Sequence, residues 1–119
     1  MASFDMRYDE EDDVLEVTFA VFDERFSRTM PLNDHIFLFT DLGSGAIWGL
    51  TFYSFSRLLG VNETEFSALK ELPTEDIEVC LGLLTQPPAS YFFDINDPAN
   101  LVARIRAPNI EVLVTQPEL

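Results

Sequence analysis

Two stretches in the first half of the chain alternate in a way that only strands satisfy. From Val14 to Val21, Leu15, Val17, Phe19 and Val21 take turns with Glu16, Thr18 and Ala20. A period of two places the first set on one face of a sheet and the mostly polar set on the other. From His35 to Thr40 both sets are apolar: Ile36 and Leu38 point one way, Phe37 and Phe39 the other. Such a strand is expected to be covered on both sides. It is followed by Asp41-Leu42-Gly43-Ser44-Gly45 and then by Ala46 to Phe55, another apolar, β-branched and aromatic stretch. Glycines supply the positive φ that a tight reversal needs, so these two stretches are expected to form a hairpin. Gly49 inside the second strand points to a bulge or a close neighbour.

A shorter strand is expected at Phe4 to Tyr8, joined to Val14–Val21 through the acidic stretch Asp9-Glu10-Glu11-Asp12-Asp13. Acidic turns of this kind fold onto local amides and discourage edge-to-edge pairing. Residues 22 to 34 leave a loop and an extended strand both open. After about residue 60 the signals change. Asn62 with Glu65 has capping-box spacing, Val61 and Phe66 have that of a hydrophobic staple, and Pro73 follows, so a helix is expected to about Leu72. Thr74 is placed to cap a second helix carrying Ile77, Cys80, Leu81 and Leu84, ended by Pro87-Pro88; a strand over 77–83 is its rival. Ser90 to Ile95 is expected as a short strand. Asp97 and Pro98 then open a third helix with Leu101, Val102 and Ile105 as its stripe. Ile110 to Val114 closes the chain as a last strand. The fold class is therefore α+β: an N-terminal antiparallel β-meander over residues 4–60, covered by two or three short helices, with short C-terminal strands within 61–119. The whole is expected to be one domain, a size that buries a core unaided.

Charge narrows the function. The chain carries 21 acids against 7 bases, a net charge of −14, which repels phosphate and argues against nucleic-acid and anionic-membrane partners. The same charge keeps a chain with 11 phenylalanines in solution. Cys80 is the single cysteine, so no internal disulfide exists. The opening Met1-Ala2-Ser3-Phe4-Asp5 lacks the basic and apolar segments of a leader, and no apolar run approaches a membrane span. A cytoplasmic setting is expected.

No catalytic spacing is found. His35 is the only histidine, no Gly-x-Ser-x-Gly elbow is present, and Gly43-x-Gly45 with Gly49 is not a dinucleotide fingerprint. Lys70 is the sole lysine and belongs to no phosphate loop. Cys80, on an apolar stripe, reads as a small hydrophobe. Asp94 and Asp97 read as helix caps, and Arg57, Arg104 and Arg106 as partners in ion pairs with the abundant acids. The acids of the turns, Asp9, Asp12, Asp13 and Asp41, are a weak alternative as a Ca²⁺ or Mg²⁺ site if the two turns converge, although their spacing is not that of an EF-hand loop.

The residues also carry a resemblance. Tyr8-Asp9, Asp13, Leu15 and Val17, then Ile36, Leu38, Asp41, Gly45, Ile47, Gly49, Leu50 and Phe52, with Ser56 and Leu58 behind them, resemble the small bacterial family known as domain of unknown function 2283. The resemblance covers about residues 4–60 and implies a small β-meander with a short helix in a bacterial cytoplasm. It transfers no catalytic residue, and the second half of the chain lies beyond it.

The expected function is non-enzymatic and without cofactor: protein–protein contact, as a homodimer, through Phe37, Phe39, Trp48 and Phe55. The alternatives are an acidic module for divalent cations or a small ligand, and an antitoxin-like acidic partner of a basic protein.

Overall fold

The computed structural model describes residues 5–20, 24–61 and 63–106. Eight strands and two α-helices make up its regular elements, with short 3₁₀ turns between them. In order these are β1 (Asp5–Asp9), β2 (Val14–Thr18), β3 (Ser27–Pro31), β4 (Ile36–Asp41), β5 (Ile47–Tyr53), α1 (Phe55–Leu59), β6 (Thr64–Glu65), α2 (Thr74–Leu84), β7 (Phe93–Asp97) and β8 (Val102–Ile105). The class is α+β, with an antiparallel sheet at the N-terminal end and further strands in a second sheet.

The first sheet has five strands in the order β1-β2-β5-β4-β3. The β1–β2 and β4–β5 hairpins follow the pattern of the sequence, but β2 pairs with β5, not with its successor. The residues left open at 22–34 supply β3, which pairs with β4 as an edge. Pro31 closes that strand; lacking an N–H, it is tolerated where no further neighbour pairs.

Register then decides the faces. Leu15 lies opposite Phe52 and Val17 opposite Leu50; Leu38 lies opposite Leu50, and Met30 opposite Leu38. All of these are buried. They meet a second layer made of α2 and a three-stranded sheet in the order β6-β8-β7. Phe66, Leu69, Cys80, Leu84, Phe92, Phe93, Ala103 and Ile105 complete one core with them. Phe52, wholly buried, is the joint between layers: its ring centroid is 5.4 Å from that of Phe55 and 5.7 Å from those of Phe92 and Phe93.

The layers are also tied through the turn before β4. Asn33 is 8% exposed, and its Oδ1 accepts from the amides of His35 (2.8 Å) and Ile36 (3.0 Å), while its Nδ2 donates to the Glu65 carbonyl (3.1 Å). The Leu32 carbonyl accepts from the amides of Ala68 and Leu69. A short turn thus satisfies donors from the second layer that would otherwise be buried unpaired.

The second half departs from expectation in three places. The helix expected to Leu72 is β6, a turn and a 3₁₀ segment, Leu69–Glu71. Its amides are claimed from afar: Phe66 N–H donates to the Leu101 carbonyl at 2.8 Å, and Thr64 pairs with Ala103. The expected Asn62 cap lies outside the described residues. The helix expected after Pro98 is a hairpin. Asp97 accepts from the Asn100 amide (3.2 Å) and side-chain NH₂ (2.7 Å), and Leu101 reverses the chain at φ 56°. Val102–Ile105 is then a strand, with Ala103 and Ile105 buried and Arg104 exposed. The strand expected at Ser90–Ile95 begins at Phe93, after a 3₁₀ turn at Ala89–Tyr91. The helix from Thr74 is present, and the rival strand over 77–83 is not. Pro73 holds its N-cap position and Thr74 makes no cap; Glu75 and Asp76 in the first turn instead place negative charge at the positive end of the helix dipole, which is stabilising. The strand expected at Ile110–Val114 lies outside the described residues.

Candidate functional site

The outward face of the first sheet collects aromatic rings. Phe37 and Phe39 alternate with the buried Ile36 and Leu38, so β4 turns them away from the core. Trp48 reaches the same face through an irregularity. Gly49 pairs with Phe39 and Ile47 with Thr40, leaving Trp48 as an extra residue of a β-bulge. A bulge of this type re-aims one side chain, and here the indole stacks on Phe39, with centroids 5.0 Å apart and an interplanar angle of 27°. Its Nε1–H donates to Ser27 Oγ at 2.9 Å, which fixes the ring against the edge strand β3. Gly49 makes room: a Cβ there would stand 3.0 Å from the Val17 carbonyl oxygen and 3.7 Å from the Phe39 ring. Phe37 meets Tyr53 edge-to-face at 5.7 Å, and Tyr53 is 45% exposed. Phe37, Phe39 and Trp48 are half-buried and stand outside the core cluster.

Phe55, expected on this surface, is elsewhere. It is 8% exposed, opens α1 on the core side and packs edge-on to Phe52 and Tyr8. The reason is the chain reversal at Ser54, whose φ of 57° breaks the alternation of β5 one residue before it. Tyr53, which sequence analysis left out, takes the place on the outer face.

The acids do not converge. The turn holding Asp9, Asp12 and Asp13 lies at the end of the sheet where Val14 faces Tyr53. The turn holding Asp41 lies at the other end, where Thr40 faces Ile47. With a rise of about 3.3 Å per residue, the length of β5 separates them by roughly 15–20 Å. The carboxylates also have local work. Asp9 Oδ1 accepts from the amides of Glu11 (3.0 Å) and Asp12 (3.3 Å). Asp41 Oδ2 accepts from the Ser44 amide (2.8 Å) and hydroxyl (2.9 Å), which hold its carboxyl below the usual carboxylate range. Among the described residues no group of three His, Cys, Asp or Glu side chains is placed to hold a metal ion.

Asp13 is the centre of a different arrangement. Tyr8 O–H donates to its Oδ1 at 2.6 Å, and the Ser56 amide and hydroxyl donate at 3.0 and 2.7 Å. The Asp13 carbonyl accepts from Phe55 N–H at 3.1 Å. Asp13 thus caps α1 from the start of the neighbouring strand β2, where the local N-cap Ser54 makes no side-chain bond. These donors, Tyr8 first, lower the Asp13 carboxyl, and the same bond raises the Tyr8 phenol. Tyr8, Asp13 and Ser56, which sequence analysis met as separate letters of a motif, are one hydrogen-bonded group.

The remaining reactive side chains are dispersed. Cys80 is wholly buried, and desolvation pushes its thiol up to about 12. His35 is exposed, and its backbone, not its ring, makes the bonds at the start of β4. Asp94 is exposed in a strand and caps no helix. The ion pairs expected of Arg57, Arg104 and Arg106 are not formed among the described residues; the pairs present are Arg28–Asp76 at 3.6 Å and Lys70–Glu65. Arg104 and Arg106 instead line an open cleft of about 310 Å³ with Asp94, Leu59 and Ile105.

No helix among the described residues is long and apolar enough to cross a membrane. Comparison with protein-family models, with curated proteins and with solved structures finds no match for this chain.

Proposed function

We propose that this protein acts through protein–protein contact, with the outward face of the five-stranded sheet as its contact surface and a second copy of the chain as its partner. The observation that carries this reading is the Phe39–Trp48 stack beside the Phe37–Tyr53 pair, on the face turned away from the core. Rings fixed by packing and by the Trp48–Ser27 bond lose little conformational entropy on docking. Aromatic side chains are also those that dominate the centres of interfaces. Two such sheets stacked face to face lie about 10 Å apart, which interdigitated rings fill. On this reading the chain is a cytoplasmic, non-enzymatic binding protein, and its likeness to the domain of unknown function 2283 is one of architecture.

Light scattering coupled to gel filtration tests the proposal. The expected mass is about twice the 13.5 kDa of one chain, and Phe37→Glu with Phe39→Glu returns it to one chain without loss of the far-UV spectrum. A wild-type protein of single-chain mass at high micromolar concentration removes the homodimer.

A further inference from the structure

The cleft between α1 and the second sheet has a composition unlike the rest of the molecule. It is lined by Arg104, Arg106, Asp94 and Leu59, with Ile105 between the arginines turning its side chain into the core. Arg104 and Asp94 are cross-strand partners of the β7–β8 ladder, both exposed, and Arg106 follows two residues on. Neither the Arg104 nor the Asp94 side chain has a hydrogen-bond or ion-pair partner among the described residues. Arg106 makes one bond, to the Ser90 carbonyl at 3.3 Å. Two of the chain's 7 basic side chains thus sit together beside a carboxylate, in a protein with 21 acids.

We propose that this cleft binds a small zwitterion with an apolar side chain, of the α-amino acid class. Guanidinium groups match a carboxylate in a planar, bidentate geometry, so Arg104 and Arg106 take the α-carboxylate. Asp94 takes the α-ammonium. Leu59, half-buried, forms the apolar wall for the side chain. Charge selects this class over a plain anion. A phosphate or dicarboxylate is repelled by the net −14 of the chain and by Asp94 itself, whereas a zwitterion carries no net charge and meets both signs at once. The cleft is open to solvent, which weakens each ion pair and sets the expected affinity in the millimolar range. The site is remote from the rings of the outer sheet face, so it stands or falls independently of the homodimer.

The test is a titration of the ¹⁵N-labelled full chain with L-leucine, followed by amide chemical shifts. The expected result is saturable movement of the Asp94 and Arg104–Arg106 amides. Arg104→Ala with Arg106→Ala is expected to weaken binding by at least tenfold. Asp94→Asn is expected to remove the preference for leucine over 4-methylpentanoate, its analogue without the amine. All these side chains are exposed, and the spectra themselves report whether each variant keeps its fold. Absence of saturable movement overturns the proposal, as does equal binding by the double arginine variant. Equal binding of 4-methylpentanoate by the wild type, or tighter binding of inorganic phosphate, overturns the zwitterion assignment.

Discussion

Replacing Phe52 tests whether the two layers form one cooperative unit. The ring is wholly buried and touches Phe55 in the first layer and Phe92 and Phe93 in the second. Truncation of a buried Phe to Ala costs about 3–5 kcal/mol. Edge-to-face and tilted aromatic pairs at these spacings contribute roughly 0.5–1.5 kcal/mol each beyond burial, which places Phe52→Ala at the upper end. Since a domain is stable by about 5–15 kcal/mol, the alanine variant is close to unfolding, and Phe52→Leu, expected to cost about 1–3 kcal/mol, is the better probe. With a urea m-value of about 1–3 kcal/mol per molar, its midpoint falls by about 1 M. Two signals follow the unfolding. Trp48, the sole tryptophan, reports on β5 in the first sheet, and far-UV circular dichroism reports on both layers. A companion, Phe93→Leu, perturbs the joint from the second sheet. In both variants the two signals are expected to shift together. If Phe93→Leu moves the dichroism midpoint and leaves the Trp48 midpoint at the wild-type value, the shared core does not couple the layers and the reasoning fails.

Other outcomes follow from single sites. Cys80, with its thiol pushed up to about 12 by burial, is expected to resist iodoacetamide at pH 8 in the native state and to react once urea unfolds the chain; fast native labelling would place the thiol at the surface. The Asp13 carboxyl is held below its unfolded value by Tyr8 and Ser56, so its contribution is present above the ordinary carboxylate pKa of about 3.9 and is lost as pH falls through the lower folded value. Melting temperature is expected to fall below about pH 4, less steeply in Asp13→Asn, because Asn keeps the left-handed backbone but does not titrate; identical slopes would contradict the assignment. The Tyr8 phenol, raised by the same bond, adds the opposite limb: its stabilisation is complete below the unfolded pKa of about 10 and lost as pH rises through the folded value, a loss that Tyr8→Phe should abolish. Gly49→Ala is expected to destabilise by about 1–2 kcal/mol, since the new methyl meets the Val17 carbonyl, a backbone atom of the β2–β5 ladder; an unchanged urea midpoint would show that the ladder yields.

The first half was legible because its signals are local. Alternation at Val14–Thr18 and Ile36–Asp41, glycines at the turn and acids that bind their own amides place β1, β2, β4 and β5 without reference to the rest; β3, at Ser27–Pro31, carries no such signal. The helix at Thr74–Leu84 was legible for the same reason, from spacing closed by proline. The candidate sites were legible only in part. Phe37 and Phe39 follow from alternation. Trp48 reaches the outer face through a bulge, and Phe55 leaves it through the left-handed turn at Ser54. In the stretch after Pro98, Leu101, Val102 and Ile105 suggest a helical stripe. The alternation in Ala103-Arg104-Ile105-Arg106 was the signal to follow, and it would have put both arginines on one face.

The sequence by itself determined four of the five strands of the first sheet, the helix at Thr74–Leu84 and the acidic turns, because each depends on residues within a few positions of one another. Only the tertiary structure decided which strands are neighbours, which ends of the sheet hold the acids, and that Thr64–Glu65 and Val102–Ile105 pair as strands. Those outcomes rest on bonds between distant segments, Phe66 to Leu101 and Asn33 to Glu65 among them. A local pattern holds no information about a partner that the chain meets only once it has folded.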